Sequence, residues 1–556
     1  MEKVWLKNYP KGVVEEINTD QFESIPDLFL DCIERYRYHP AFSCMGKDMS
    51  YAELEKQSKD FAAFLQNRLG LEKGQRIAIM SPNILQYPIA LMGALRAGLI
   101  VVNVNPLYTE RELKHQLTDS GAEAIVIVAN FAHTLEAVIE DTNVKHVILT
   151  ELGDLLGFPK SLLVNSVVKY VKKMVPKFSL RQAYKFNDVL AEGSKLSFRP
   201  VKVESDDIAF LQYTGGTTGV AKGAMLTNKN IVSNMLQIYH WMKNDLKEGQ
   251  EIIATPLPLY HIFSLTVNCL GFMHMGAKNV LITNPRDIPG FIKIIKNSYI
   301  TVMSGVNTLF VALMNHEDFK TLDFSNHKIT VAGGMALQKA VAERWERETK
   351  SKIVEGFGLT ETSPVLTCNP IDGNDQKGSI GMPLPSTEVK VVNDDGEDLP
   401  VGEAGEIIAR GPQVMKGYWQ RPEETEKVMF GEWFRTGDIG VMQEDGFFRI
   451  VDRKKDMILV SGFNVYPNEI EDVLVTHEGI VEAAAVGVPD ERSGEAIKVF
   501  IVKKDQNLTA EDVIAHCKKS LTGYKIPRHV EFRDDLPKSN VGKILRKDLR
   551  QADANA

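Results

Sequence analysis

The chain has 556 residues, of which 44% are hydrophobic and 25% charged, and its formal net charge is −8. This length exceeds what one hydrophobic core fills, so at least two domains are expected, and the composition is that of a folded globular protein. The negative charge argues against general nucleic-acid binding, and no nucleic acid is expected as a partner. The apolar stretch at 89–104 is broken by Arg96 and is too short to cross a bilayer.

The cysteines are scattered and form no C-x-x-C pair. They are Cys32, Cys44, Cys269, Cys368 and Cys517. This spacing indicates neither a disulfide framework nor a zinc site, and the N-terminus lacks the apolar core of a signal peptide. We therefore expect a cytoplasmic protein.

Short apolar runs alternate with helical patterns through the first two thirds of the chain. The runs lie at 77–81, 124–128, 146–149, 208–213, 252–255, 279–282, 300–304 and 329–332. Runs rich in Val and Ile predict parallel strands that are buried on both faces. The sequence thus predicts an α/β architecture in several units as far as about residue 370.

The segment 160–181 contains six Lys or Arg residues and no acidic residue. Its apolar residues follow helical spacing and share one face: Leu163, Val164, Val167, Val168, Val171, Met174 and Val175. Two interpretations are open. The more common one is an amphipathic helix packed on the core, and the other is an interfacial helix that draws the protein to anionic lipid.

From about residue 380 the pattern changes again. Turn dipeptides separate short alternating runs, which predicts antiparallel β structure in a small barrel or sheet. After V-D-R-K-K-D at 451–456, helical and strand patterns are mixed. We place a domain boundary there, with one domain at 1–451 and a second at 457–556.

A loop rich in Gly and Thr follows the strand predicted at 208–213. Its sequence is Y-T-G-G-T-T-G-V-A-K-G at 213–223. The glycines let backbone N–H groups approach phosphate oxygens, the threonines add hydroxyl donors and Lys222 adds a cation. Because Ala221 precedes Lys222, the P-loop pattern is broken, and the loop alone would equally fit a simple turn.

Three later stretches carry further polar chemistry. They are E-G-F-G-L-T-E at 355–361, W-F-R-T-G-D at 433–438 and P-K-S-N-V-G-K-I-L-R at 537–546. Glu361 offers a hard oxygen ligand for Mg²⁺, and Asp438 can accept two hydrogen bonds from vicinal hydroxyls. Lys543 follows a turn at Asn540 to Gly542 and would stabilise charge that develops on a reacting phosphate. Taken singly, these features would be a helix start, a turn and a solvated lysine.

Together and in this order, the four stretches resemble the signature of the adenylate-forming superfamily, which includes acyl-CoA synthetases, adenylation domains and luciferases. Strings such as L-Y-T-E-R-E-L and V-S-G-F-N-V-Y-P-N-E-I-E-D-V are similar to its AMP-forming long-chain acyl-CoA synthetases. The resemblance implies that ATP and CoA convert a long-chain fatty acid to acyl-CoA through acyl-AMP, feeding fatty acid degradation. The alternative is an AMP-forming CoA ligase for medium-chain or aryl acids.

The resemblance also implies a fold. It is α/β, with a large N-terminal domain of two α/β subdomains plus a β-barrel and a smaller, mobile C-terminal α+β domain. Residues 452–456 would form the hinge between them. The resemblance further admits a homodimer and peripheral contact with the inner face of the cell membrane.

Individual roles follow from the same resemblance. Lys543 is expected to be catalytic, and His261 to lie at the edge of the acyl site. Thr214 and Glu361 are expected to hold Mg²⁺. The expected ATP and AMP contacts are Tyr213, Thr214, Gly215, Gly216, Thr217, Thr218, Gly219, Lys222, Gly223, Gly334, Glu355, Gly356, Phe357, Thr360, Asp438, Arg453 and Lys455.

Two positions depart from the family pattern. Leu265 stands where some long-chain relatives have a tryptophan gate, so acyl entry is expected to be gated differently. Leu459 stands where relatives can carry a lysine that contacts the nucleotide.

Overall fold

Four β-sheets organise the residues that the computed structural model describes, which are 3–214, 220–461, 463–490, 492–539 and 542–554. The two largest sheets are built by strands between residues 40 and 383, and one of them also includes the short strand Gly417–Tyr418. The other strands between 388 and 453 form the third sheet, and those between 458 and 533 form the fourth. None of the described helices has the length and apolar character needed to cross a bilayer.

The first sheet has eight strands. In spatial order they are Gly417–Tyr418, Lys222–Thr227, Ile208–Thr214, Ile100–Val104, Arg76–Met80, Ala124–Val128, His146–Thr150 and Tyr184–Lys185. The last six run parallel, whereas the first two pair antiparallel at one edge. Every residue of Ala124–Val128 is buried, as expected for a parallel strand covered on both faces.

The second sheet has nine strands. In spatial order they are Met382–Pro383, Val365–Cys368, Lys352–Gly358, Ile329–Ala332, Val302–Gly305, Ile252–Thr255, Lys278–Leu281, Pro40–Cys44 and Lys47–Ser50. Its six central strands are parallel. The eight apolar runs predicted as strands all become strands of these two sheets, with bounds that shift by at most two residues.

Helices pack around and between the two sheets. They are Ile25–Tyr36, Tyr51–Asn67, Gln86–Arg96, Glu110–Ser120, Ala132–Glu136, Lys160–Ser166, Phe186–Gly193, Asn228–Met242, Phe272–His274, Ile288–Ser298, Asn307–Asn315, Lys339–Thr349 and Pro422–Val428, with π-helical turns at Val167–Val171 and Ser264–Gly271. Capping boxes start several of them, as where Thr109 and Glu112 cap Glu110–Ser120.

The apolar stretch at 89–104 becomes a central helix and a strand. All residues of Gln86–Arg96 are buried, in an apolar cluster that takes side chains from both large sheets. A helix that is apolar on every side is stable in such a position because no face needs water. The helix Lys160–Ser166 is the opposite case, since none of its residues is buried. This helix therefore lacks the buried apolar face that the core-packing interpretation expects.

The third sheet is antiparallel, as predicted. Its strands are Glu388–Val392, Gly405–Arg410, Trp433–Met442, Met429–Phe430 and Phe448–Arg453. Within the described residues its outer strands do not pair with each other, so the sheet is open, and the expected closed barrel is not found. Short strands such as Met429–Phe430 extend it too little to curl it round on itself.

The C-terminal unit is a fourth sheet with helices on it. The strands are Phe463–Val465, Ile458–Val460, Gly494–Lys503, Ile480–Asp490 and His529–Arg533, and the helices are Pro467–Leu474, Ala510–Lys518 and Arg546–Ala554. Its apolar side chains form clusters of their own. The third sheet ends at Arg453 and the fourth begins at Ile458, so the change from one unit to the other falls within four residues.

Candidate active site

A cleft of about 1030 Å³ lies between the large N-terminal unit and the C-terminal unit. It brings together most of the residues singled out in the sequence, although they are up to 330 positions apart. The predicted residues that line it are Tyr213, Thr214, His261, Gly334, Glu355, Gly356, Phe357, Thr360, Glu361, Asp438, Arg453, Lys455 and Lys543. Gly215, Gly216, Thr217, Thr218 and Gly219 lie outside the described residues.

Sheet register places Asp438 beside Arg453. The two are directly opposite on the antiparallel strands Trp433–Met442 and Phe448–Arg453. Arg453 Nε lies 3.4 Å from Asp438 Oδ1. Burial raises the pKa of Asp438, and the nearby cations Arg453 and Lys543 oppose that shift. A buried carboxylate held next to a guanidinium is well suited to bind a pair of hydroxyls.

Lys543 reaches the same cleft from the C-terminal unit. A tight turn holds it, in which Ser539 N–H donates to the Lys543 carbonyl at 2.7 Å and Lys543 N–H donates to Ser539 Oγ at 3.1 Å. Burial and the neighbouring Arg453 lower the pKa of Lys543 to about 7, against the pull of Asp438. The cleft therefore concentrates cations that an anionic ligand would neutralise.

Gly542 lets the turn approach the N-terminal unit. Its φ of 81° is in the left-handed region, and the Thr308 hydroxyl donates to its carbonyl at 3.2 Å. A Cβ atom at this position would stand 2.6 Å from Thr308 Oγ1. A side chain there would strain the backbone and press the turn away from the cleft. Asn540 and Val541 of the same turn lie outside the described residues.

Glu361 and Thr214 supply oxygen atoms to the cleft. Glu361 lies in the single turn Thr360–Thr362, and its Oε1 accepts a hydrogen bond of 2.7 Å from the Tyr418 hydroxyl. Thr214 is the last residue of the strand Ile208–Thr214, and both residues are half-buried. A carboxylate and a hydroxyl are hard donors, so this pair fits Mg²⁺.

Glu355 holds the backbone that forms one wall. Its Oε1 accepts from Leu337 N–H at 3.0 Å, and so it fixes the loop that contains Gly334. Burial raises the pKa of Glu355 to about 8. Asn307 and Gln338 exchange two hydrogen bonds, of 3.0 and 3.1 Å, at the far end of this loop. Glu355 is thus a positioning residue as well as a lining residue.

His261 lies in the cleft as a neutral imidazole. Burial lowers its pKa to about 4, with a smaller effect from Lys543 in the same direction. Its Nδ1 accepts a hydrogen bond of 3.3 Å from Phe263 N–H. A histidine that gains a proton only near pH 4 does not act as a charged acid at neutral pH. This geometry fits placement of a substrate better than proton transfer.

Lys222 and Gly223 do not line the cleft. Lys222 Nζ forms an ion pair of 2.7 Å with Glu424 and lies 4.7 Å from the centre of the Tyr418 ring. The short strand Gly417–Tyr418 pairs with the strand of Lys222 and brings Glu424 to it. Tyr213 contributes to the cleft, yet its hydroxyl donates away from it, to Asp119 Oδ2 at 2.7 Å. In this structure Lys222 is thus paired with Glu424, and its expected contact with the nucleotide stays a prediction.

Part of the cleft is apolar. Its lining includes Ile238, Trp241, Met242, Phe263, Val267, Cys368, Ile371, Ile380 and Leu384. Phe357 lines the cleft as well, at the end of the strand Lys352–Gly358. Leu265 is fully buried and is not among the lining residues, and Leu459 is exposed on the C-terminal sheet. Neither of these two leucines therefore lines the cleft.

Two family models match the chain. Residues 29–419 match the family model of the AMP-binding enzymes, and residues 469–543 match that of the AMP-binding enzyme C-terminal domain. The first match alone covers more than half of the chain. The chain belongs to the AMP-binding enzyme family.

Several members of this family are similar over their full length. A long-chain-fatty-acid–CoA ligase of Yersinia pestis is 58% identical over 550 residues, which are 99% of this chain and 98% of the relative. That of Escherichia coli O6:H1 is 56% identical with the same coverage. The solved structure of an anthranilate CoA ligase in complex with anthranoyl-AMP covers 97% of this chain and 99% of its own, with 24% identity and a TM-score of 0.87. That last likeness concerns the fold alone.

In this member of the AMP-binding enzymes, two contacts were not predicted from the sequence. Tyr418 supports Glu361 from within M-K-G-Y-W-Q-R-P, where its aromatic ring gave no sign of a polar role. Arg546 pairs with Glu471 at 2.7 Å and Asp452 at 3.1 Å, and so it joins the C-terminal helix to the end of the third sheet. Its place three residues after Lys543 was the only signal available.

Proposed function

We propose that this protein activates long-chain fatty acids to acyl-CoA through an acyl-AMP intermediate, with release of AMP and pyrophosphate, and so feeds fatty acid degradation. The observation that carries this proposal is one cavity that combines the polar groups of Lys543, Glu361 and Asp438 with an apolar lining. Relatives that are 54–58% identical over 99% of the chain are named long-chain-fatty-acid–CoA ligases.

In the first half-reaction, the fatty acid carboxylate attacks the α-phosphorus of ATP and pyrophosphate leaves. Asp438 and Arg453 bind the ribose, while Phe357 and the loop of Gly334 lie along the adenine. Lys543 places its ammonium against the α-phosphate, where negative charge grows in the transition state. The apolar lining takes the acyl chain, and neutral His261 positions its carboxylate end.

In the second half-reaction, the CoA thiol attacks the acyl-AMP carbonyl and AMP leaves. Lys543 occupies the side of the cleft that the thiol needs. We infer that the C-terminal unit turns about residues 452–456 after the first step, so that Lys543 withdraws and CoA enters. A few backbone dihedrals suffice for such a rigid-body movement.

Mg²⁺ is the metal that we propose for this site, held by Glu361 and Thr214. When bound, it neutralises charge on the ATP phosphates. Glu361 contributes one carboxylate whose orientation Tyr418 fixes through its hydroxyl. ATP and water would supply the remaining oxygen ligands, as is usual for Mg²⁺ in nucleotide sites.

Replacing Glu361 by glutamine should raise the Mg²⁺ concentration for half-maximal pyrophosphate release by roughly 10- to 100-fold, because a charged contact of this kind contributes about 1.5–3 kcal/mol. Tyr418→Phe should have a smaller effect, since Glu361 keeps its charge. Glu423→Gln, at an exposed position nearby, serves as the control. An unchanged Mg²⁺ requirement in Glu361→Gln would exclude this carboxylate as a ligand.

The substrate class is tested with acids of graded length. Purified protein is given ATP, Mg²⁺ and either octanoate, palmitate, oleate or benzoate, and pyrophosphate release is measured with and without CoA. We expect the highest kcat/KM with the long-chain acids and acyl-CoA only when CoA is present. Preference for octanoate or benzoate would replace the proposal by the medium-chain or aryl alternative.

We also propose that the protein works in the cytoplasm, in peripheral contact with the inner face of the cell membrane, where long-chain acids partition. The five cysteines are free and buried, which is compatible with a reducing compartment. A homodimer remains a proposal as well, and light scattering during the membrane experiment below measures it.

A further inference from the structure

Residues 158–181 form a segment that exposes several large apolar side chains to solvent. Phe158 is 88% exposed and Val171 73%, and no residue of the helix Lys160–Ser166 or of the turn Val167–Val171 is buried. The other large exposed apolar side chains of the segment are Leu162, Leu163, Tyr170 and Met174. An isolated exposed leucine is ordinary, but a run of such residues on one element marks an interaction surface.

Polar contacts hold this segment in its place. Asn165 Oδ1 accepts from Gly153 N–H at 2.7 Å, and Asn165 Nδ2 donates to Asp154 Oδ1 at 2.9 Å. Further along, Asn130 Nδ2 donates to the Met174 carbonyl at 3.1 Å. The segment is thus fixed by polar contacts, while its apolar residues are half-buried, as at Val164, Val167 and Val168, or exposed, as at Leu163 and Val171. A helix that packs on a core would bury its apolar face instead.

The same segment is strongly basic. It carries six cations and no acid, whereas the whole chain has a net charge of −8. Within the part of the chain that the structure describes, no ion pair involves Lys169, Lys172, Lys173, Lys177 or Arg181. Lys169 instead lies 5.7 Å from the centre of the Tyr170 ring. Solvated cations beside exposed apolar side chains are complementary to a lipid bilayer that has anionic headgroups and an apolar interior.

We propose that residues 158–181 dock the protein on anionic lipid, with the apolar side chains in the acyl boundary and the lysines among the headgroups. A second copy of the chain is a poor occupant, because symmetric contact would bring two sets of six cations together without an acid between them. A lipid surface also accepts apolar side chains in any arrangement, whereas a protein would need a matching shape.

Docking of this kind deepens the proposed function, because it brings the acyl cleft to the phase that holds long-chain acids. The lipid contact itself does not depend on that function. Activation of the fatty acid and docking on lipid can therefore be tested separately. The first is assayed with a water-soluble acid and the second with vesicles.

The test is sedimentation of the purified full-length protein with vesicles. Wild type should bind vesicles that contain phosphatidylglycerol, bind less at high salt, and bind pure phosphatidylcholine weakly. Changing Lys169, Lys172 and Lys173 to Glu should lower the partition coefficient at least about 100-fold, since each lysine near an anionic surface contributes roughly a factor of five. Leu162→Ser with Leu163→Ser should remove the binding that resists salt.

A matched control carries the same change in charge elsewhere. Lys293, Lys296 and Lys320 are exposed on another part of the surface, and their joint change to Glu should leave at least about half of the binding. All variants should keep wild-type activity on octanoate without vesicles, which shows that they fold. If wild type lacks ligase activity but binds vesicles, the proposed function fails and the docking surface stands.

Four outcomes would overturn the docking surface. They are no binding by wild type to anionic vesicles, unchanged binding by the Lys169, Lys172 and Lys173 variant, an equal loss in the control, and a wild-type dimer that this variant dissociates in light scattering. The last result would identify the segment as a contact between two copies of the chain.

Discussion

Replacing Lys543 by alanine is expected to slow acyl-AMP formation by roughly 10²–10³-fold or more, because one preorganised charge at the reacting phosphate contributes that much. Thioester formation from supplied acyl-AMP should change far less, since Lys543 has to leave the cleft before CoA attacks. The two half-reactions are measured separately, as ATP–pyrophosphate exchange and as conversion of synthetic acyl-AMP to acyl-CoA.

Lys518→Ala provides the matched control for that experiment. Lys518 is exposed on the helix Ala510–Lys518 of the same unit and does not line the cleft, and its replacement removes the same charge. It should leave both half-reactions within about twofold of wild type. An equal loss in both half-reactions of Lys543→Ala would contradict a role confined to the first step.

The low pKa of Lys543 gives the first step a pH dependence. Without nucleotide the lysine has a pKa of about 7, so it is charged below that pH and loses its proton above it. We expect kcat/KM for ATP to fall as pH rises through 7, because this constant reports the free enzyme. Bound phosphates should raise the pKa, so kcat should fall only at higher pH. In Lys543→Ala, neither kcat/KM nor kcat should show this fall with rising pH.

The strands of the two large sheets were predictable because a parallel strand needs apolar residues on both faces. That requirement leaves continuous runs such as 124–128 and 329–332 in the sequence, and the structure places strands at both. Whether the third sheet closes into a barrel was not predictable from the sequence. Its form depends on how far the outer strands extend and pair, and local alternation carries no information about pairing.

The candidate site was predictable in part, since Gly, Thr and charged residues at fixed spacing mark chemistry directly. Side-chain partners from distant segments were not. Lys222 has the right sequence context for a phosphate contact, but a strand about 195 positions later brings Glu424 against it. The segment 160–181 was ambiguous in the sequence, because helical spacing defines an apolar face without showing whether that face contacts the protein.

The hinge between the units is expected to lie at residues 452–456, and Lys455→Pro should separate the two half-reactions. Proline fixes φ at 455 and restricts the residue before it. Lys454 N–H donates to the Gly437 carbonyl and Asp456 N–H to the Arg453 carbonyl, at 3.0 Å each, so proline at 454 or at 456 would remove one of these hydrogen bonds. Position 455 lies between them, at the centre of the predicted hinge.

The expected result is that Lys455→Pro forms acyl-AMP at the rate of Lys455→Ala but forms thioester at least about 100-fold more slowly than Lys455→Ala, a factor that corresponds to about 2.7 kcal/mol of barrier. The cleft as observed already contains Lys543, so the arrangement for the first step needs no further turn. The second step needs the C-terminal unit to move, and that movement requires the dihedrals that proline fixes.

Lys455→Ala distinguishes the effect of restricting the backbone from the effect of losing the side chain. Lys455 lines the cleft, and its loss should weaken nucleotide binding in both half-reactions while φ stays free. Only the proline variant should therefore show the selective loss. Domain movement is followed independently by fluorescence transfer between dyes on the two units as acyl-AMP accumulates, and the signal change should disappear in Lys455→Pro. If that variant forms thioester at the rate of Lys455→Ala, the turn occurs about other residues, and the pairing of Arg546 with Asp452 then points to the start of the C-terminal helix as the next segment to restrict.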